Sequence, residues 1–132
     1  MRVLDDLRYT KDHEWVRRAG EEFVAGITDY AQQQLSDIVY VELPAVGMRL
    51  TQAEPFGSVE AVKAVADLFA PASGEVVAVN ESLMNDPAAV NRSPYEEGWM
   101  IRVKASDPKQ FDGLLTAEKY RALLAELGGA SA

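Results

Sequence analysis

The segment Gly57-Ser58-Val59-Glu60-Ala61-Val62-Lys63-Ala64-Val65-Ala66-Asp67-Leu68-Phe69-Ala70-Pro71 decides how the rest of the chain is interpreted. Lys63, at its centre, is the only cationic side chain between Arg49 and Arg92. A lone ammonium among small apolar residues has two interpretations. It is either a solvated lysine on an ordinary element or a lysine displayed for covalent modification, because an acyl-transferring enzyme needs a primary amine to form an amide.

The secondary structure of this segment stays open from its own residues. Apolar side chains at Val59, Val62, Ala66 and Phe69 have the spacing of one face of an amphipathic helix. The flanks favour strands instead, since a β-like run containing Gly57 comes before Lys63 and the run Pro71-Ala72-Ser73-Gly74-Glu75-Val76-Val77-Ala78-Val79-Asn80 follows it.

Length and composition indicate one globular domain. A chain of 132 residues can build a single core but not two. Its apolar fraction of 48% and charged fraction of 26% are those of an ordinary soluble protein. A net charge of -8 argues against nucleic-acid binding, which needs a basic face, and suits docking through complementary charged patches.

We predict a cytoplasmic protein that does not contact membranes. No apolar run approaches the roughly 20 residues that span a bilayer. The start, Met1-Arg2-Val3-Leu4-Asp5-Asp6, has neither a signal-peptide core nor the pattern of a basic transit segment.

The chain contains no cysteine, which excludes disulfides, iron–sulfur ligation and thiol catalysis. His13 is the only histidine, so we expect no metal site and assign this side chain a structural role. Trp15 and Trp99 are predicted core aromatics. Any redox chemistry must therefore be carried by an attached group.

Short strands separated by glycine and proline predict a β-sandwich or barrel with peripheral helices. Two helices are predicted at its edge. Thr28 begins a short one that continues to Leu35, and Thr116 to Leu127 forms a C-terminal one that ends at Gly128. A short strand is predicted within 9–17, after a polar turn, and further strands at 23–27, 38–43, 48–50, 56–62, 74–80 and 99–104. The predicted apolar face of the last helix is Tyr120, Leu123, Leu124 and Leu127.

The block around Lys63 resembles the lipoyl attachment site of the glycine cleavage system H protein family. The family motif reads Val-Glu-(Ser or Ala)-Val-Lys-Ala, then Asp, then Ala-Pro-x-Ser-Gly-Glu-Val. Further blocks that look like this family occur in the family's order, so the resemblance runs from about Tyr9 to about Tyr120. The departures are mild, with Ala61 and Ala66 where the family often has serine and Ser36 where glycine is common. The further blocks are Gly26-Ile27-Thr28-Asp29-Tyr30-Ala31-Gln32, Asp37-Ile38-Val39-Tyr40-Val41-Glu42-Leu43-Pro44 and Pro94-Tyr95-Glu96-Glu97-Gly98-Trp99-Met100-Ile101.

The resemblance implies a mainly β fold, a lipoyl/biotinyl-type barrel-sandwich hybrid with N-terminal extension strands, a short helix and a C-terminal helix. It implies one lipoyl-carrier domain over residues 1–132, with a core of about 9–104, a helical segment of about 107–127 and a tail of 128–132. Lys63 then lies at the tip of a β-hairpin. Biotin carriers typically flank the lysine with methionines, whereas Val62 and Ala64 flank it here. Lipoyl domains of the oxo-acid dehydrogenase complexes usually have aspartate directly before the lysine.

The implied function is that of a carrier without catalytic activity of its own. Lipoate amidated to Lys63 would accept an aminomethyl group from pyridoxal-phosphate-dependent glycine decarboxylase. An aminomethyltransferase would pass the methylene to tetrahydrofolate, and dihydrolipoamide dehydrogenase would reoxidise the dithiol. A lipoate ligase or a lipoyl/octanoyl transferase would attach the group. Two alternatives stay open, a lipoyl relay that supplies other lipoate-dependent complexes and an unmodified H-like binding protein.

Five further residues receive predicted roles from the resemblance. Glu14 and Asp67, with Asp12 as a third candidate, would hold the cationic aminomethyl arm in a groove, where a charge-assisted hydrogen bond is strong. The alternative for each acid is a solvated surface position. Glu60 and Gly74 are assigned to recognition by the lipoylating enzyme, with Gly74 expected to act through its backbone at a turn.

Overall fold

The computed structural model describes residues 2–128, and most of their regular structure is antiparallel β-sheet. In chain order the strands are β1 (Arg8–Tyr9), β2 (Glu14–Ala19), β3 (Glu22–Ile27), β4 (Ile38–Glu42), β5 (Arg49–Leu50), β6 (Pro55–Ala61), β7 (Val65–Phe69), β8 (Gly74–Val79) and β9 (Ile101–Ala105). One sheet has six strands in the order β1-β2-β3-β9-β8-β5, and the other has three in the order β4-β6-β7. The predicted fold class, mainly β with a short helix and a C-terminal helix, is confirmed.

The helices are short and lie between or after the strands. They are α1 (Asp29–Leu35), a 3₁₀ helix (Glu81–Met84), α2 (Ala89–Arg92), α3 (Lys109–Asp112) and α4 (Ala117–Glu126). Thr28 caps α1 as predicted, since its side chain accepts a hydrogen bond from the backbone nitrogen of Ala31. The predicted tail is 128–132, of which residues 129–132 lie outside the described residues. The predicted domain boundaries stay a prediction.

The main core lies where side chains from both sheets pack together. Val16 and Val103 come from the large sheet, and Val41 and Val59 come from the small one; all four are fully buried. Each such side chain contributes about 1.5–3 kcal/mol by leaving water. Burial of this face fixes the register of the small sheet, because a slip of one residue would expose these valines.

A second cluster, built from aromatic rings, holds α4 against the N-terminal strands. Tyr9 and Tyr120 stack with ring centroids 4.4 Å apart. Trp15 is fully buried and donates from Nε1 to the carbonyl oxygen of Pro94 at 2.9 Å, so its predicted core position is confirmed. Trp99 is only partly buried at the edge of this cluster.

The C-terminal helix has a narrower buried face than its sequence predicts. Tyr120 and Leu124 are buried, but Leu127 is 52% exposed. Leu127 follows the last helical residue, and Gly128 has φ +86, so the chain turns away before Leu127 can reach the cluster.

Candidate functional site

Lys63 lies in the short turn that joins β6 to β7. The turn is closed by a 2.7 Å hydrogen bond from the backbone nitrogen of Ala61 to the oxygen of Ala64. Val62 donates from its backbone nitrogen to the oxygen of Asp37, which ties the turn to the residue before β4. The hairpin implied by the resemblance is therefore confirmed, and the helix favoured by local periodicity is wrong. The side chain of Lys63 is exposed.

Glu60 and Gly74 lie in different sheets. Glu60 is in β6 and pairs with Val65 across the hairpin, so it lies on the strand that leads into the Lys63 turn. Gly74 is the first residue of β8 and not part of a turn, which corrects the expected placement. A Cβ at Gly74 would lie 2.2 Å from the backbone oxygen of Lys104, so the close approach of β8 and β9 requires glycine there. A role in recognition stays a prediction for both residues.

Glu14 is a buried carboxylate at the start of β2, with 2% of its surface exposed. Its Oε1 accepts a hydrogen bond from Oγ1 of Thr10 at 2.5 Å. Its Oε2 accepts one from the backbone nitrogen of Phe69, the last residue of β7, at 3.2 Å. Glu14 thus joins the large sheet to the strand that begins at the lysine turn.

Burial raises the pKa of Glu14 to about 7. The hydrogen bonds from Thr10 and Phe69 oppose this shift, because they favour the ionised carboxylate, and the nearby charge of Asp12 adds to it. A carboxyl group with a pKa near neutrality changes its charge readily when a cation approaches.

An open cavity of about 240 Å³ lies beside this carboxylate. It brings together Glu14 and Asp12, two of the three predicted groove acids, whereas Asp67 is not among its lining residues. Asp67 is exposed on β7, two residues before Phe69. The other lining residues include Thr10, Gln52, Pro71 and Leu114.

Sequence reasoning missed Thr10 and Gln52. Thr10 stands four residues before Glu14, and its Oγ1 also accepts hydrogen bonds from the backbone nitrogens of Asp12 and Glu14. A hydroxyl in the polar turn before the strand was a usable signal for that role, because threonine commonly hydrogen-bonds nearby backbone in turns. Gln52 lies in a loop and donates to the oxygen of Pro71, for which the sequence carries no signal.

His13 has the structural surroundings that the sequence predicts. Its Nδ1 lies 2.9 Å from the hydroxyl of Tyr120, whose oxygen is also 2.7 Å from Oγ1 of Thr28. Partial burial lowers the pKa of His13. Within residues 2–128 no group of three or more histidine, aspartate or glutamate side chains could hold a metal ion. In the same part of the chain, every helix is too short or too polar to cross a bilayer.

Comparisons with known proteins find the same protein family over nearly the whole chain. The family model described as glycine cleavage H-protein matches residues 7–127. The glycine cleavage system H protein of Geobacillus kaustophilus is 58% identical over 126 residues, which are 96% of this chain and 99% of that protein. The glycine cleavage system H protein of Anaeromyxobacter sp. strain K is 54% identical over 126 residues, which are 96% of this chain and 98% of that protein.

A solved structure gives the same result for the fold. The crystal structure of a glycine cleavage system H protein from Mycobacterium marinum superposes with a TM-score of 0.84 at 37% sequence identity. The match covers 96% of this chain and 99% of that one.

Proposed function

The chain belongs to the glycine cleavage H-protein family, and from that premise we propose that it is the lipoyl-bearing carrier of the glycine cleavage system, with Lys63 as the attachment residue. The observation that carries the proposal is the exposed amine of Lys63 in the turn of a hairpin. A turn closed by its own backbone hydrogen bond holds the amine away from the sheets, where another protein's active site can reach it.

Lipoate fits this position because the amine is primary, exposed and free of a competing lysine between Arg49 and Arg92. A lipoyl group supplies a cyclic disulfide that takes up an aminomethyl group as it is reduced, chemistry that a chain without cysteine lacks. The chain's own residues would then have to present the arm and bind its cationic aminomethyl group.

Glu14 is the residue best suited to bind the cationic aminomethyl group. Val65 and Phe69 are four residues apart in β7, a distance of about 13 Å at ~3.3 Å per residue. A lipoyl-lysine arm has more than ten single bonds of ~1.5 Å and a reach on the order of 15 Å. A lipoyl-lysine arm of that reach would be long enough to bring an ammonium to Glu14, whose ionised carboxylate would pair with it.

Asp12 and Asp67 have supporting roles in this proposal. Asp12 lines the same cavity as Glu14, so its charge favours a cation there. Asp67 is exposed along β7, where it would meet the arm between the turn and the cavity. The proposed role is that of a carrier component, not a catalyst.

The proposed partners are the other components of the glycine cleavage system. They are the glycine decarboxylase, the aminomethyltransferase and dihydrolipoamide dehydrogenase, together with the enzyme that lipoylates Lys63. A cytoplasmic location stays a prediction from the sequence.

The test is the intact mass of the chain expressed with lipoate and a lipoate ligase, followed by peptide mapping. We expect one lipoyl adduct on Lys63, lost in Lys63→Arg and kept in Lys104→Arg, which changes an exposed lysine of β9. The lipoylated chain should then support glycine–CO2 exchange by the decarboxylase. An absent adduct, under conditions that modify a control lipoyl domain, contradicts the proposal and favours an unmodified binding protein. An adduct without exchange favours the lipoyl relay.

A further inference from the structure

The outer face of the small sheet carries apolar side chains next to the Lys63 turn. Tyr40, Glu60 and Val65 are direct neighbours across β4, β6 and β7. The adjacent residues Val41 and Val59 point into the core and are fully buried, so this row points outward. Tyr40 is 41% exposed and Val65 is 65% exposed.

Two more valines extend this apolar surface. Val39 is the extra residue where the pairing of β4 shifts between Ile38 and Tyr40, and it is 55% exposed. Val62, directly before Lys63, is 74% exposed. Single exposed hydrophobic residues are ordinary, but a cluster of them marks an interaction surface. We call Val39, Tyr40, Glu42, Glu60, Val62, Val65 and Asp67 the tip face.

Acidic groups border the apolar part of the tip face. Glu42 and Asp67 are each paired with Ser58, one row further along the sheet, and both are exposed. Glu60 lies between Tyr40 and Val65 in the first row. Lys63 is the only cationic side chain in the described segment 38–69 apart from Arg49. Amide formation removes the charge of Lys63, so the charged side chains left on the tip face and its turn are all acidic.

The length of the lysine side chain indicates which partner must touch this surface. The ammonium nitrogen of an unmodified lysine lies only about 6 Å from its Cα. An enzyme that acylates Lys63 must therefore bring its own surface against the turn and the strands beside it. Partners that act on the far end of the finished arm, on the order of 15 Å away, do not need this contact.

We propose that the tip face is the docking surface for the enzyme that acylates Lys63, and that this enzyme presents an apolar recess bordered by lysine or arginine. In the reaction the neutral Nζ attacks the carbonyl carbon of a lipoyl adenylate. The amide C–N bond forms, the bond from the carbonyl carbon to the phosphate oxygen breaks with release of AMP, and one proton leaves Nζ. This inference rests on the proposed function, and it adds Tyr40, Val65 and Glu42 to the predicted role of Glu60.

The experiment uses the unmodified full chain, a lipoate ligase, ATP and lipoate, with lipoylation followed by mass. Val65→Thr keeps the shape and strand preference of valine but removes apolar contact, and Glu42→Lys opposes the cationic border. We expect each variant to lower kcat/KM about tenfold through KM, with kcat unchanged. The dissociation constant of the ligase for the unmodified chain, measured by calorimetry, should rise by the same factor.

Two control variants separate the tip face from general effects. Val46→Thr removes an equally exposed valine in the loop after β4. Glu126→Lys makes the same change of net charge on the exposed side of α4. Both should be lipoylated like the unaltered chain.

Three other results of this experiment would contradict either the docking surface or the proposed function. Unchanged kcat/KM in Val65→Thr and Glu42→Lys overturns the docking surface. An equal loss in Glu126→Lys also overturns it, because net charge and not this face then governs the encounter. No lipoylation of the unaltered chain overturns the proposed function itself and is distinguishable from the other two results.

Discussion

Oε2 of Glu14 accepts a hydrogen bond from the backbone nitrogen of Phe69 at 3.2 Å. The bond joins the first residue of β2 to the last residue of β7, and so links the two sheets. It places a buried acid at the far end of the strand that begins beside Lys63. The lysine turn and the carboxylate thus lie at opposite ends of one five-residue strand.

The first prediction concerns Glu14→Gln and the pH dependence of stability. The pKa of Glu14 is about 7 in the folded chain against an ordinary value of 4.5, so the folded state binds this proton more tightly than the unfolded state. This group therefore lowers the free energy of unfolding as the pH rises from about 4.5 to about 7. Glutamine has no titrating proton. Between pH 4.5 and 7 the free energy of unfolding of the variant should therefore rise by about 3 kcal/mol relative to that of the unaltered chain. Urea unfolding at a series of pH values measures the difference.

The control for this prediction is Glu118→Gln, which changes an exposed glutamate of α4. The difference in free energy of unfolding between this variant and the unaltered chain should stay constant between pH 4.5 and 7. A constant difference for Glu14→Gln as well would contradict a raised pKa at that site.

The second prediction concerns the hydroxyl of Thr10. It donates to Oε1 of Glu14 at 2.5 Å, and this bond favours the ionised carboxylate. Thr10→Val should therefore raise the pKa of Glu14 above its value of about 7. Thr10→Ser keeps the hydroxyl and should leave the pKa unchanged. A carbon-13 NMR titration of the Glu14 carboxyl measures both, and equal pKa values in the valine and serine variants would exclude the hydroxyl as the cause.

The strands and the helices α1 and α4 were predictable because their signals are local. Alternation of apolar residues marks β9, and Thr28 marks the start of α1. The Lys63 hairpin was not predictable from its own residues. Small and apolar side chains such as Ala61 and Ala66 suit either element, and the choice is made by pairing of β6 with β4, a contact between distant parts of the chain.

The sequence predicts which residue types line the candidate site but not their geometry. Glu14 and Asp67 are both acids in segments typical of the family, yet one is buried and the other exposed. The difference arises because β2 packs its first residue against the end of β7, whereas Asp67 points outward from an edge strand. Neither position follows from sequence spacing.

The third prediction concerns the hydroxyl of Tyr120. It contacts Nδ1 of His13 at 2.9 Å and Oγ1 of Thr28 at 2.7 Å, and Thr28 is fully buried. Tyr120→Phe keeps the ring stacked on Tyr9 but removes both hydrogen bonds, so we expect a loss of about 1–3 kcal/mol in the free energy of unfolding. The measurement is denaturant unfolding.

Tyr30→Phe is the matched control. Its ring also contacts His13, at 4.7 Å between centroids, but the side chain is only half-buried. The free energy of unfolding of Tyr30→Phe should stay within about 0.5 kcal/mol of that of the unaltered chain. Equal losses in the two variants would mean that hydroxyl removal in general, and not the Tyr120 contacts, explains the change.

The last prediction separates a structural role of Gly74 from a role in recognition. An alanine Cβ there would lie 2.2 Å from the backbone oxygen of Lys104 and 2.7 Å from Cγ1 of Val103, so β8 and β9 would have to move apart. Gly74→Ala should cost about 3 kcal/mol of unfolding free energy. Gly113→Ala is the control, since its Cβ would meet only the oxygen of Gln110 at 3.6 Å, an ordinary contact, and it should cost less than about 0.5 kcal/mol. Lipoylation of Gly74→Ala at a temperature where it stays folded then tests recognition directly. An unchanged kcat/KM would assign Gly74 to the sheet alone, whereas a lowered kcat/KM in a folded, normally stable variant would contradict the structural explanation.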